Sequence, residues 1–177
     1  MEYLIIENNI IKNIIHCDND DTAKQFGAIP SYENASIGSA YKPTASLQEK
    51  NLRIAQSKAD LAAYLEAHPF VWTDGNTYTC TTEKQQQLTS KLLAATMAKM
   101  SMQPYALTWT TAGGVCQEWT LDTLSALAFA IDAYVTPLVT YQQTMEVAMR
   151  EAQTLEELDA IVVDYDTVGA AAQEALL

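Results

Sequence analysis

Positive charge is scarce in this 177-residue sequence: ten Lys and Arg stand against 22 Asp and Glu, a formal net charge of −12 at pH 7. A surface that tracks phosphates needs the opposite balance, so nucleic acid is excluded as an expected partner. Imidazole is scarcer still, with only His16 and His68. Cys17, Cys80 and Cys116 are odd in number, scattered and without C-x-x-C spacing. That excludes a disulfide framework and a structural zinc site, and leaves three thiols. Long apolar runs are missing too: none approaches the roughly 18 to 20 residues of a membrane span, and no basic leader precedes Tyr3-Leu-Ile-Ile6. The expectation is a soluble, unexported chain. Also absent are Gly-x-Ser-x-Gly, a P-loop and a dinucleotide fingerprint.

What is present suffices for folding, because 49% of the residues are hydrophobic and only 18% charged, enough for one or two small cores. The charge is skewed along the chain. Residues 121 to 177 hold ten acidic side chains and one basic one, so nine of the twelve excess negative charges lie there. They read as solvated helix faces; the functional counterpart would be a docking face for a basic partner.

Periodicity predicts an α+β chain in three parts: a β-rich docking domain over 1–45, a connector helix over 46–68, and an α+β domain of two hairpins and several helices over 69–177. In the first part, β-branched runs on either side of Asn8-Asn9 predict a hairpin. Asp18-Asn-Asp-Asp21 then caps a short helix over Thr22–Phe26, closed by Gly27, with one or two strands following. The Asp cluster is no calcium loop, since Ala23 stands at the sixth position where the turn needs glycine. In the connector, Leu47, Ile54, Leu61 and His68 recur every seven residues, whereas Lys50, Ser57 and Tyr64 make a poor second seam.

Asp74-Gly75 between Phe70-Val-Trp-Thr73 and Asn76–Thr81 predicts a second hairpin with both central φ angles positive. Thr82 and Gln85 read as a capping box for a helix with one apolar side, Leu88, Leu92, Leu93, Met97 and Met100. A further pair of strands, 105–111 and 115–120, flanks Ala112-Gly-Gly114. A long helical pattern from Leu121 should kink or break between Tyr134 and Leu138 at Pro137. Thr154 and Glu157 form another capping box, launching a short terminal helix with Leu155, Leu158, Ile161, Val162 and Tyr165.

The second half resembles a domain of uncharacterised function found in bacteriophage and prophage tail proteins. The resemblance covers about residues 68 to 163 and is carried by Phe70-Val-Trp-Thr-Asp-Gly75, Leu107-Thr-Trp109, Gly114–Thr120 and Ala152-Gln-Thr-Leu-Glu-Glu-Leu-Asp-Ala160. The first part is similar to the heads of small phage tail-fibre proteins through Ile6-Glu-Asn-Asn9, Ile10–Ile15 and Ile37-Gly-Ser-Ala-Tyr41, although Ser39 stands where such heads often carry Trp. The resemblance implies a place in a virion tail, at a fibre or baseplate, after synthesis in the host cytoplasm. It also implies contacts with other tail proteins and a homo-oligomer, a trimer being common among such fibres.

No residue pattern supplies catalysis, a cofactor or a metal. His16 beside Cys17 suggests a nucleophile pair, but strand neighbours face opposite sides. Glu156, Glu157 and Asp159, like Asp164 and Asp166, read as solvated faces rather than a glycosidase pair. Trp72, Trp109 and Trp119, with Tyr78 and Tyr105, read as core, and Met97, Met100 and Met102 as core or interface filler. Together with what the resemblance implies, the expectation is a non-enzymatic structural tail component that binds neither nucleic acid nor membrane. A tail-fibre assembly chaperone and a carbohydrate-binding module for host attachment are its alternatives.

Overall fold

Asn8 and Asn9 close the first hairpin with φ angles of 52° and 60° in the computed structural model, which describes residues 1–32 and 34–176. Asparagine visits the left-handed region more readily than other side chains, so the pair fits a two-residue turn that matches strand twist. Strands β1 (Glu2–Glu7) and β2 (Ile10–His16) run antiparallel with Glu7 opposite Ile10, and their register shifts between Ile5 and Ile6. Helix α1 (Asp20–Gln25) begins two residues earlier than its pattern predicted. Its cap is Asn19, whose side chain accepts from the Thr22 amide at 2.9 Å, so Asp20 and Asp21 fall in the first turn, where carboxylates suit the positive helix end. Strand β3 (Ile29–Pro30) adds to β1, giving the order β2-β1-β3. Tyr3, Cys17, Ala23 and Ala28 form the small core beneath.

Helix α2 (Leu47–Ala67) opens on a reciprocal cap: Ser46 donates to the Glu49 carboxylate at 2.6 Å and accepts from the Glu49 amide at 3.2 Å. Then come β4 (Phe70–Val71) and β5 (Thr77–Tyr78), α3 (Thr82–Met100), β6 (Thr108–Trp109) and β7 (Gln117–Glu118), and α4 (Leu121–Glu151). The short helices α5 (Leu155–Asp159) and α6 (Tyr165–Glu174) end the chain. The architecture is α+β, as expected.

The two later hairpins pair over only two residues per strand. Threonine and glycine divert the longer strands that were expected: Thr110 Oγ1 donates to the Gly114 carbonyl at 2.7 Å, and the Ala112 amide leaves its own hairpin to donate to Thr77 at 2.8 Å. The start of α3 also corrects the sequence reading. Its cap is Thr81, accepting from Lys84, while Gln85 reaches back to the Cys80 carbonyl at 2.6 Å, so Thr82 and Gln85 form no capping box.

Helix α4 runs through Pro137 without the predicted break. Proline removes one amide donor, and the carbonyl it would have paired with belongs to Ala133. Ala133, Thr136 and Pro137 are all exposed, so water can satisfy that carbonyl, while Tyr134, Val135 and Leu138 on the inner face stay buried and hold the helix in place. By length and composition alone α4 could cross a membrane, with a window of mean hydropathy 1.4, which corrects the expectation that no segment approaches a span. Much of that apolarity is a core stripe, Leu124, Leu127, Ile131 and Leu138 among it. Each such fully buried side chain contributes about 1.5–3 kcal/mol.

The chain forms two compact units, Met1–Glu49 with Ala152–Ala160, and Lys50–Glu151 with Ile161–Leu177. This division is discontinuous, unlike the consecutive segments 1–45, 46–68 and 69–177. Residues 152–160 join the first unit through β-type bonds, Ala45 amide to Gln153 carbonyl at 3.0 Å and Leu155 amide to Pro43 carbonyl at 2.9 Å. Thr154 and Glu157 make the expected capping box. The helix it starts ends at Asp159, however, and Asp164 caps a separate α6 by accepting from the Thr167 amide at 3.1 Å.

Candidate interaction surface

The Asp74-Gly75 turn is built differently from its prediction. Only Gly75 has a positive φ, 79°, and the loop spans five residues, with the Trp72 amide bonded to the Asn76 carbonyl at 3.0 Å. Asp74 organises it from the side chain, accepting from the Asn76 amide at 2.9 Å, from Asn76 Nδ2 at 3.0 Å and from the Tyr78 hydroxyl at 2.6 Å. Partial burial pushes the Asp74 carboxyl up, but the bonds from Tyr78 and Asn76 outweigh it and hold the group below its ordinary value. The Tyr78 hydroxyl is raised, first by burial and then by its bond to Asp74.

Around this turn the expected aromatic core is present and graded. Tyr78 and Trp109 are buried, whereas Trp72 and Trp119 are half-buried. The latter two stack with centroids 6.0 Å apart, and Tyr78 meets both edge-on at 6.0 Å. Such pairs add about 0.5–1.5 kcal/mol each beyond area burial. Lys84 lies 5.8 Å from the Trp109 ring, over a cavity of about 190 Å³ lined by Thr79, Thr110 and Gly114, smaller than an ordinary ligand pocket. Tyr105 is exposed and stands outside this cluster.

The carboxylates singled out in the sequence have structural partners. Glu157 accepts from the Gln153 amide at 2.7 Å and completes the α5 cap; Glu156 pairs with Lys42 at 3.5 Å; Asp164 caps α6; Asp166 lies 3.9 Å from His68. Asp159 also has an interaction partner. Glu146, which no motif marked, is a strongly perturbed carboxyl. Hydrogen bonds from Lys58 and then Arg150, at 2.8 and 2.6 Å, hold it at about 2. His16 is exposed and faces Glu2 at 3.7 Å, while Cys17 is buried, so the two neighbours are not brought together. Cys80 is buried, and desolvation lifts its thiol to about 11, which leaves Cys116 as the exposed cysteine. Among the described residues no group of three or more His, Cys, Asp or Glu side chains could hold a metal ion.

Sequence reasoning missed two buried contacts. Ser57, counted as a weak seam position, is buried: Gln142 Nε2 donates to its hydroxyl at 3.3 Å, and the Tyr165 hydroxyl donates to its carbonyl at 2.8 Å. Gly169, beyond the last pattern read from the sequence, packs under Tyr64; a Cβ there would collide with the Tyr64 hydroxyl and stand 2.7 Å from Cζ. Helical spacing of polar and small residues was the available signal, but it is masked where the packing partner is itself polar.

Helix α3 has two apolar sides rather than one. Leu88 and Ala95 are buried and Leu92 packs beside them, whereas Leu93, Met97 and Met100 face solvent with 60, 60 and 80% of their surface open. Met102, just beyond the helix, is 91% open. These methionines do not fill the core.

One family, described as a domain of unknown function, DUF4376, matches residues 48–166. No curated protein and no solved structure matches the chain.

Proposed function

The chain belongs to the DUF4376 family through residues 48–166, and on that premise we propose that it is a non-enzymatic structural component of a phage tail or tail-like particle. It would reside in the virion at a fibre or baseplate after synthesis in the host cytoplasm, as a homo-oligomer, a trimer being the form the resemblance suggests. The location is supported by the resemblance of residues 68–163 and of the first hairpin to tail proteins. The role is supported above all by one observation: the aromatic side chains around Tyr78 pack on one another, and of the marked carboxylates Glu157 and Asp164 cap helices while Glu156 pairs with Lys42. A side chain fixed in this way stiffens a building block. The net charge of −12 disfavours nucleic acid, and the proposal includes no membrane contact.

Mass spectrometry of purified particles tests the location, with the chain expected at a fixed copy number per tail. Its absence from finished particles, despite expression during infection, would point to the assembly chaperone instead. Quenching of Trp fluorescence by host-surface glycans would point to the carbohydrate-binding module, with the half-buried Trp72 and Trp119 as the stacking face.

A further inference from the structure

The outer face of α3 carries a pattern that the fold of one chain does not use. Gln86, Ser90, Leu93, Met97 and Met100 follow one another at steps of four, three, four and three residues, the spacing of a helix–helix seam. All are exposed, and the buried Leu88 and Ala95 lie on the opposite side of the helix. The positions that flank its apolar part, Thr89, Ala94 and Thr96, are uncharged, and charge begins only one step of three before Gln86, at Glu83, which accepts from Gln87 Nε2 at 2.9 Å. The hydroxyls of Thr89 and Thr96 turn back onto the Gln85 and Leu92 carbonyls at 2.9 and 2.8 Å, so they offer methyl groups outward.

We propose that this face is the contact with a second copy of the chain. Charge selects the occupant. A basic partner would be drawn to the acidic residues 121–177, whereas the stretch from Gln86 to Met100 on this face offers it no charge to pair with. Two chains of net charge −12 repel least where both surfaces are neutral. A membrane-surface helix would need cationic flanks; here Lys84 lies over Trp109 and Lys91 donates to Thr108 at 3.2 Å, which leaves Lys99 in the last turn as the one further cation of the helix.

Area counts in the same direction. At about 200 Å² per large side chain, Leu93, Met97 and Met100 leave about 400 Å² open, within the range of the largest patch on a monomer. The flanking threonines and alanine bring it towards the roughly 800 Å² each partner gives to a stable interface. The seam is also self-complementary about Leu93: in an antiparallel pair Leu93 meets its counterpart, Met97 faces Ser90 and Met100 faces Gln86, long against short, with helix dipoles opposed.

The inference rests on the self-association proposed above and narrows it to a two-fold pair, since a self-complementary contact closes as a dimer and a trimer would need a different surface; it is measured on the purified chain, apart from any particle. Light scattering after size exclusion at about 50 μM should give twice the 19.5 kDa of one chain, or an even multiple of it, and a trimeric mass would overturn the seam. Leu93→Glu and Met97→Glu should each return it to one chain with the helical circular dichroism retained, because neither side chain belongs to the core. Phe129→Glu, at an exposed site on α4, should leave the assembly intact. Should the Glu variants lose their fold, Leu93→Cys in a Cys116→Ser background should still give an oxidative dimer. A monomeric wild type, an assembly indifferent to Leu93→Glu and Met97→Glu, or one equally lost with Phe129→Glu overturns the seam. Particle mass spectrometry decides the tail location whichever way this falls.

Discussion

The hairpin at Asn8-Asn9 and the hairpin at Asp74-Gly75 look alike in sequence, and they are held by different forces. In the first, two left-handed residues bend the backbone directly from strand to strand, and pairing resumes at once with Glu7 opposite Ile10. In the second, one left-handed glycine is joined by a carboxylate that gathers three donors, one of them the hydroxyl of the buried Tyr78. The first turn is thus specified by torsional preference and the second by hydrogen bonding to a side chain. The same compositional signal covers two mechanisms with different sensitivities.

The largest separation between them should come from Asp74→Ala, which strips the acceptor from the buried Tyr78 hydroxyl and should cost about 2 kcal/mol in denaturant unfolding. Asp74→Asn, which keeps an acceptor, should lose about half of that. If Asp74→Ala is neutral, the second hairpin is held by its aromatic packing alone. Next in size is Asn9→Ala, expected to cost about 1 kcal/mol because alanine resists positive φ. Gly75→Ala should match it for the same reason, this being the one torsional demand the two turns share. Asn9→Gly should be smaller and of opposite sign, a gain under about 0.5 kcal/mol, since glycine accepts the turn angle but loses more entropy on folding.

The smallest effect is a difference in acid sensitivity. The Asp74 carboxyl is lowered in the folded chain, so its contribution is complete above its unfolded value of about 3.8 and fades as pH falls through the lower folded one. Glu146, at about 2 when folded, contributes over a neighbouring window, complete above about 4.5 and lost as pH falls through about 2. Melting temperatures between pH 5 and 2 should therefore drop less steeply for Asp74→Asn than for wild type when both carry Glu146→Gln. An identical slope in both proteins would mean that Asp74 is not held in its charged form.

Local signals in the sequence were the most legible. Asn8-Asn9 and the Thr154–Glu157 box each involve residues within a few positions of one another, so their geometry follows from short-range chemistry. Misreadings arose where the deciding partner lies far along the chain or is water. Pro137 is tolerated because the carbonyl it orphans faces solvent, a matter of helix orientation that no propensity records. Thr81 rather than Thr82 caps α3, since adjacent threonines are equivalent until the chain direction is fixed. The contact between Ser57 and Gln142 joins residues 85 positions apart, and a polar pair leaves no hydrophobic period to detect. For α3, the sequence merged two apolar stripes that the fold sets on opposite sides, one inward and one outward.

The return of residues 152–160 to the first unit has a consequence for how such chains can be recombined. A genetic exchange that replaces the leading 49 residues by a single crossover would strand them beside a mismatched 152–160 stretch, whose Gln153 carbonyl and Leu155 amide complete their edge. Viable hybrids would have to inherit both stretches from one parent, so variation at Pro43, Ala45 and Lys42 is expected to travel with variation at 153–156, across about a hundred residues that belong to the other unit.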